Sequence, residues 1–356
     1  MAPISDRIKQ ARLLNALSMR KLAPMVGVSH NAIAKYERAE DIPSSGVLLR
    51  LSRALNVSLD YFFREPSVKL GDPRFRHPKK KLRKMEEQKL LADIREWLER
   101  CREVEQIFER DSSDAFVWPK GFPQRVSSVD RAEKLAEDLR RLWDLGSDPI
   151  PDMVELLEGK GIRVYQEERD DAFDALVVPV RNGNEFVIVI NSSFSGDHQR
   201  LSLAHELGHV MLKPSRNSAD SEEDVAIRFG AALIVPKQAA IEELGQHRRH
   251  LGIEELHSLK HKYGLSMQAW VKRARELGIL AESKAERLLD EFRKKGWDKK
   301  EPGEQYPVER PRRMERLVHR ALAEELITRS AAEEFLGRQI SRLPADHVPA
   351  GHTDAD

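Results

Sequence analysis

The sequence predicts an α+β chain that is predominantly helical, with an all-α amino-terminal helix-turn-helix domain followed by a larger domain of helices around a small three-stranded sheet. Three observations carry this. Residues 8–62 read as four or five short helices with sharp punctuation. Three short β-prone runs lie between Gly161 and Asn191. A buried amphipathic helix then carries His205-Glu206-Leu207-Gly208-His209.

Near the amino end, Ser18 is placed to cap a helix over Met19–Val26, Gly27 to turn the chain, and Ser29 to cap a helix through about Arg38. Helix, glycine turn and helix at this spacing are a helix-turn-helix arrangement. Leu22, Ala23, Val28 and Ile33 are expected inside. His30, Asn31, Ala32, Lys35 and Tyr36 ride the second helix. Asn suits adenine and Lys suits guanine, so His30, Asn31 and Lys35 are the base-edge candidates. Pro24 lies within the first helix and is expected to shorten it.

Charge divides the chain the same way. Residues 1–89 hold 19 Lys and Arg against 9 Asp and Glu, and the remainder holds 41 against 50. The nearly neutral total of +1 hides a basic front and an acidic body, the footprint of a nucleic-acid module joined to something else. Residues 74–84 (RFRHPKKKLRK) can neutralise phosphates or form a solvated linker. A Pro/Gly/basic linker over 66–78 precedes a long helix, Leu82–Phe108. Its stripe of Leu90, Ile94, Trp97, Leu98, Cys101, Val104 and Phe108 is expected to pack on the following domain rather than form a dimer seam. An irregular stretch, 111–124, and a helix over about 129–145 follow.

Strands are expected at Gly161–Gln166, Phe173–Val180 and Phe186–Asn191, with Asn182-Gly183 as a hairpin signal between the last two. The last strand, just ahead of the His-bearing helix, is the expected open edge for an extended peptide.

On an α-helix, His205 and His209 share a face one turn apart and can converge on one ion. Neutral imidazole suits Zn²⁺, and Glu206 is placed to take a proton from water on the metal. Leu201, Ala204, Leu207 and Met211 recur at helical spacing, with Ser195 or Asp197 as N-cap and Pro214 beyond the end. The next helix, from about Ser221 to Pro236, offers a third ligand. Ala226 and Gly230 lie on the stripe of Glu223, and small side chains there allow close approach to the His-bearing helix. Glu222 heads the bulkier stripe of Val225, Phe229 and Leu233. Glu223 is therefore the expected third ligand and Glu222 the alternative.

These residues resemble known families. Leu17-Ser18, Leu22-Ala23, Gly27-Val28-Ser29, Ile33, Tyr36-Glu37-Arg38, Pro43-Ser44, Leu48, Leu51 and Ala54-Leu55-Asn56-Val57-Ser58 resemble an XRE-type (Cro/C1-like) domain. That resemblance implies a double-stranded DNA operator as partner, contacts from Arg20, Ser29, His30, Asn31 and Lys35, and a homodimer on two-fold half-sites. Met19 departs from the Gln that commonly opens the second helix. RLSLAHELGHVML followed by EDVAIRFGAALIVP resembles the ImmA/IrrE metallopeptidases, matching at Glu223, Ala226, Phe229, Leu233 and Pro236. Gly230 stands where that family usually has Ala. The likeness extends over about 128–340. It implies a zincin-like fold, Zn²⁺ on His205, His209 and Glu223, and Glu206 as general base. His257, His261 and Tyr263 are candidates for a second oxyanion donor.

The expected organisation is a helix-turn-helix domain over 1–65, a basic linker and connecting helix over 66–127, and a metallopeptidase-like domain over 128–282. A helical extension over 283–343 and a disordered tail over 344–356 complete it. Its 356 residues suit two domains and connectors. One cysteine, Cys101, excludes an internal disulfide, and the absence of an apolar run or signal core points to a cytoplasmic protein off the membrane. The function expected is a DNA-binding transcriptional regulator whose zinc endopeptidase domain cleaves a specific repressor or antitoxin-like protein. The alternative is a DNA-binding repressor or antitoxin whose zinc domain is a non-proteolytic sensor or partner-binding module. An intact Glu206 and the lack of a fourth protein ligand favour the first.

Overall fold

A computed structural model describes residues 2–73, 83–108, 116–169, 173–181, 185–215 and 220–340. Among them it has 15 α-helices, a three-stranded sheet and a two-stranded ribbon. The chain divides into two compact units, Met1–Glu99 with Ser112–Pro311, and Arg100–Asp111 with Arg312–Asp356.

Helices α1 (Ala2–Leu14), α2 (Met19–Val26), α3 (His30–Glu37) and α4 (Ser45–Leu55), with a 3₁₀ turn at Asp60–Phe63, form the first layer of the larger unit. The caps form where the sequence places them. Ser18 accepts from the Lys21 amide and Ser29 from the Ala32 amide, and Gly27 adopts φ 69°, which suits a residue without Cβ. Leu22, Ala23 and Ile33 are buried, with Val28 packed against them. Helix α2 nevertheless runs past Pro24 to Val26. Pro24 sits near its C-terminus, so its missing N–H costs one hydrogen bond and the Gly27 cap closes the end.

This helical layer is fastened to α5 (Lys84–Ile107). Arg7 pairs with Glu99 at 2.5 Å with both side chains buried, and also donates to the carbonyls of Arg64 and Glu65. Gln10 donates to the Ala92 carbonyl and the Tyr61 hydroxyl to Glu96. On its apolar stripe, α5 carries Leu90, Ile94 and Leu98 onto one face of the sheet, against Phe173, Leu176, Val178, Val187 and Val189. That is the packing expected for the first part of this stripe; Val104 and Phe108, farther along it, join the smaller unit instead.

The sheet comprises β2 (Arg163–Glu167), β3 (Ala175–Pro179) and β4 (Phe186–Asn191); β1 (Gln124–Val126) belongs to the separate ribbon. Its order is β2-β4-β3, with β4 parallel to β2 and antiparallel to β3. This corrects the expectation that the last strand is an open edge. Strand β4 is central, paired on both sides and buried throughout, as its run Phe-Val-Ile-Val-Ile requires. The edges are β2 and β3, and the far end of β3 is bridged by Leu70 to Val180.

Against the other face lie α6 (Val129–Leu142), α7 (Met153–Gly159), α8 (Gly196–Met211) and, after β5 (Leu212–Pro214), α9 (Glu222–Ile234). Strand β5 pairs in parallel with β1. The helical remainder is α10 (Lys237–Leu244), α11 (Ile253–Tyr263), α12 (Met267–Glu276) and α13 (Glu282–Lys294). Helices α11 and α12 have the look of a second helix-turn-helix in sequence, but Leu256, Leu265, Met267, Trp270 and Val271 bury them in the main core. A strap from Glu301 to Glu309 ties these helices together. Glu301 accepts from Lys260 and from the Met267 and Gln268 amides, capping α12. Glu309 pairs with the buried Arg200 of α8 and accepts from the Met153 amide of α7.

In the smaller unit, α14 (Arg313–Ala323) and α15 (Arg329–Leu336) bury Leu317, Val318 and Ala332 with Val104. The helical region expected over about 311–343 is made of these two helices, separated where Glu325 takes φ 57° and Thr328 caps the second. Most of the basic run at 74–84, the Asn182-Gly183 turn and the 344–356 tail lie outside the described residues.

Candidate metal centre and nucleic-acid interface

Helices α8 and α9 cross closely because their contact stripes are nearly without side chains. A Cβ added to Gly208 would lie 3.2 Å from the Ala226 carbonyl oxygen, and one added to Gly230 would lie 2.9 Å from the His205 amide nitrogen. Ser221 caps α9 by accepting from the Asp224 amide, so the helix begins at the height of the histidines and its first turn presents acids to them.

The geometry brings His205, His209 and Glu223 together, with one potential ligand atom of each within 4.8 Å of the others. His205 Nε2 and His209 Nε2 are 2.8 Å apart, and Glu223 oxygens lie 3.3 Å from the first and 3.5 Å from the second. Ligand atoms on a tetrahedral zinc with bonds of about 2.0–2.1 Å are separated by roughly 3.3 Å. The donor set and its spacing therefore fit such an ion. Glu222 reaches the other ring nitrogen, 3.7 Å from His209 Nδ1, so it lies on the side of the ring away from His205 Nε2.

Glu206 is buried to 4% exposure, yet lines a cavity of about 510 Å³ together with His205 and Glu223. The cavity is walled by Phe173, Asp174 and Ala175 at the start of β3, by His198, Leu201 and Ser202 of α8, and by Ile227 and Ala231 of α9. Helix α12 adds Gln268, Ala269, Lys272, Arg273 and Glu276. His257, His261 and Tyr263, considered from sequence as oxyanion donors, are not among these lining residues. Tyr263 instead donates to Glu243, and His261 faces the Glu304 carbonyl. Burial, with that Glu243 bond, pushes the Tyr263 phenol above its usual range. Sequence reasoning missed His198, Asp174 and the α12 wall. His198 lies two turns before His205 on the same face, a periodicity that was available; the α12 contribution has no local signal.

Arg20, Ser29, His30, Asn31 and Lys35 are all exposed, the last three on α3. Helix α3 is held by a paired fork: Arg12 of α1 meets Glu37 at 2.5 and 2.8 Å and donates to the Leu17 carbonyl.

Comparison with known proteins matches two separate stretches of the chain. Residues 8–62 match the helix-turn-helix family model, and residues 158–275 match the IrrE N-terminal-like domain of a peptidase family. The chain joins an XRE-type helix-turn-helix domain to an IrrE-like domain. It is similar to a protein of Rhodospirillum rubrum named as a transcriptional regulator in the ATPase CF(0) region, 38% identical over 73 residues. That match covers 20% of this chain and 66% of the relative. Proteins of Rickettsia prowazekii and Rickettsia conorii, named as HTH-type transcriptional regulators, are each 38% identical over 60 residues. Those matches cover 17% of this chain and 46% and 48% of the relatives. The chain thus spans between about half and two thirds of these relatives. Among the described residues, no helix is long and apolar enough to cross a membrane.

Proposed function

We propose that this protein is a DNA-binding transcriptional regulator whose IrrE-like domain is a zinc-dependent endopeptidase acting on a specific protein partner. The observation that carries the reading is the 2.8–3.5 Å spacing of the His205, His209 and Glu223 donor atoms, with Glu206 beside them in the cavity. Neutral imidazoles and one carboxylate are the ligand set of catalytic zinc, which keeps a position open. A zinc ion held there supplies Lewis acidity to water and to the scissile carbonyl. Glu206 takes the proton of the attacking water and delivers it to the leaving amine. The low exposure of Glu206 keeps that proton from bulk solvent. Glu223 on α9 and the histidines on α8 are fixed by close helix contact, so the site is held by rigid elements rather than loops.

The relatives named as regulators and the exposed face of α3 support operator DNA as the second partner, and a helix-turn-helix pair on two-fold half-sites makes a homodimer the expected bound form. Repressor or antitoxin-like proteins encoded beside this chain are the first substrates to test. Metal content is measured in wild type, His205→Ala and Glu206→Gln, and each is incubated with those neighbours. About one zinc per chain, lost in His205→Ala and kept in Glu206→Gln, with cleavage by wild type alone, is the expected result. Zinc retained with no neighbour cleaved assigns the domain to partner binding or sensing instead.

A further inference from the structure

His198 and Asp174 form a pair in the same cavity as His205, Glu206 and Glu223, and the metal chemistry does not use them. His198 Nε2 lies 3.1 Å from Asp174 Oδ2; the side chains are 39% and 36% exposed, with Asp174 Oδ1 buried. Phe194 stacks on the His198 ring, centroids 4.5 Å apart and planes within 13°. Asp174 is positioned from the centre of the sheet. Its carbonyl accepts from the Asn191 amide, and the buried Asn191 side chain donates to the Phe173 carbonyl. The Asp174 carboxylate thus stands beside an aromatic plate.

We propose that His198 and Asp174 are a specificity subsite that takes a lysine or arginine side chain of the bound polypeptide. The carboxylate supplies a charge-assisted acceptor, and the stacked rings supply a flat face for a guanidinium or a lysine stem. The subsite's distance from the metal ligands sets the position it reads. His198 precedes His205 by seven residues, about 10 Å of helix at roughly 1.5 Å per residue. An extended peptide covers that in about three residues at roughly 3.3 Å each. A peptide lying along this face of α8 would place the selected basic residue about three positions from the scissile bond. Lys272 of α12 also lines the cavity and would select the opposite charge.

This inference rests on the peptidase reading, and the test separates the two. Fluorescein-labelled decapeptides, carrying a single Arg, Glu or Ala at each position in turn, are bound to full-length Glu206→Gln and offered for cleavage to wild type, with cut sites mapped by mass spectrometry. Arg at the selected position is expected to bind about tenfold tighter than Ala, the size of one charge-assisted hydrogen bond. Asp174→Asn, close in shape to the native residue, abolishes that preference; His198→Gln weakens it. In cleavage, both variants raise KM for the Arg peptide and leave kcat unchanged. A purely structural His198–Asp174 contact would instead lower binding of every peptide alike, which overturns the proposal, as does a preference for Glu or an Arg preference that survives Asp174→Asn. Asp174-dependent Arg binding, with neither these peptides nor the neighbouring proteins cut by wild type, upholds the subsite and removes the peptidase reading.

Discussion

Gly230 lies against the backbone of His205: a Cβ built on it stands 2.9 Å from the His205 amide nitrogen and 3.1 Å from the Ala204 carbonyl carbon. Both neighbours are main chain in a buried helix, so the clash is relieved only by moving α9 away from α8. Moving α9 carries Glu223 away from the histidines. Gly230→Ala gains helix propensity worth about 1 kcal/mol, but overpacking of this kind costs roughly 1–3 kcal/mol. The variant is expected to be no more stable than wild type in urea unfolding and to bind zinc more weakly in competition titration. Wild-type zinc affinity in a stabilised Gly230→Ala would show that the helix spacing does not hold the site.

Glu222 and Glu223 are adjacent in sequence and differ in which side of His209 they meet. Glu223 lies 3.5 Å from Nε2, and Glu222 lies 3.7 Å from Nδ1. Loss of a direct ligand should cost far more than loss of a carboxylate behind one, where effects run at about 10–100-fold. Glu223→Gln is expected to lose bound zinc on gel filtration, whereas Glu222→Gln keeps it with affinity lowered within that range. The reverse order would exchange the two assignments.

What the sequence made legible follows from the range of the forces involved. Caps at Ser18 and Ser29, the left-handed turn at Gly27 and the one-turn spacing of His205 and His209 are set within a few residues, and each forms as the local chemistry dictates. Glu223 was readable because Ala226 and Gly230 mark the stripe along which α9 approaches α8. The order of the sheet was not readable, because a continuously apolar strand such as β4 states only that both its faces are covered. Nor was the α12 wall, whose place depends on Glu301, far along the chain, accepting from the Met267 and Gln268 amides. The strap's partners Arg200 and Lys260 carry no local signal of burial, yet both are buried and paired with Glu309 and Glu301, far along the chain.

The buried Arg7–Glu99 pair makes a further prediction about how the helix-turn-helix domain is fastened. Removing Glu99 leaves the buried Arg7 charge with only the Arg64 and Glu65 carbonyls, at a cost of about 3–5 kcal/mol, and removing Arg7 leaves Glu99 only its 3.5 Å pair with Arg95, whereas replacing both with apolar residues of similar size is closer to neutral. Arg7→Met and Glu99→Leu are expected to lower the urea midpoint singly, and the double variant to recover most of the loss. In limited proteolysis, the single variants should release a fragment containing α1–α4 faster than wild type. Equal single and double losses would mean that the pair contributes no coupling and that the Gln10 and Tyr61 contacts hold the domain.

Arg12 and Glu37 fix α3, and this separates two kinds of DNA contact. Lys35 is exposed on α3 and suited to a base edge, whereas Arg20 of α2 is exposed where phosphate contact is expected. On an operator selected from random duplexes, Lys35→Ala is expected to cost about 1–3 kcal/mol and relax the preference at one base pair. Arg20→Ala should weaken all sequences alike and reduce the slope of log affinity against log salt by about one. Glu37→Gln touches no DNA in this arrangement, but it breaks the fork that orients α3. It should therefore lose specificity while keeping the wild-type salt slope. If Glu37→Gln binds with full specificity, α3 is oriented by its apolar contacts at Ile33 and Tyr36 alone. If Lys35→Ala changes only the salt slope, Lys35 meets phosphate, and base reading falls to His30 and Asn31 at the amino end of the same helix.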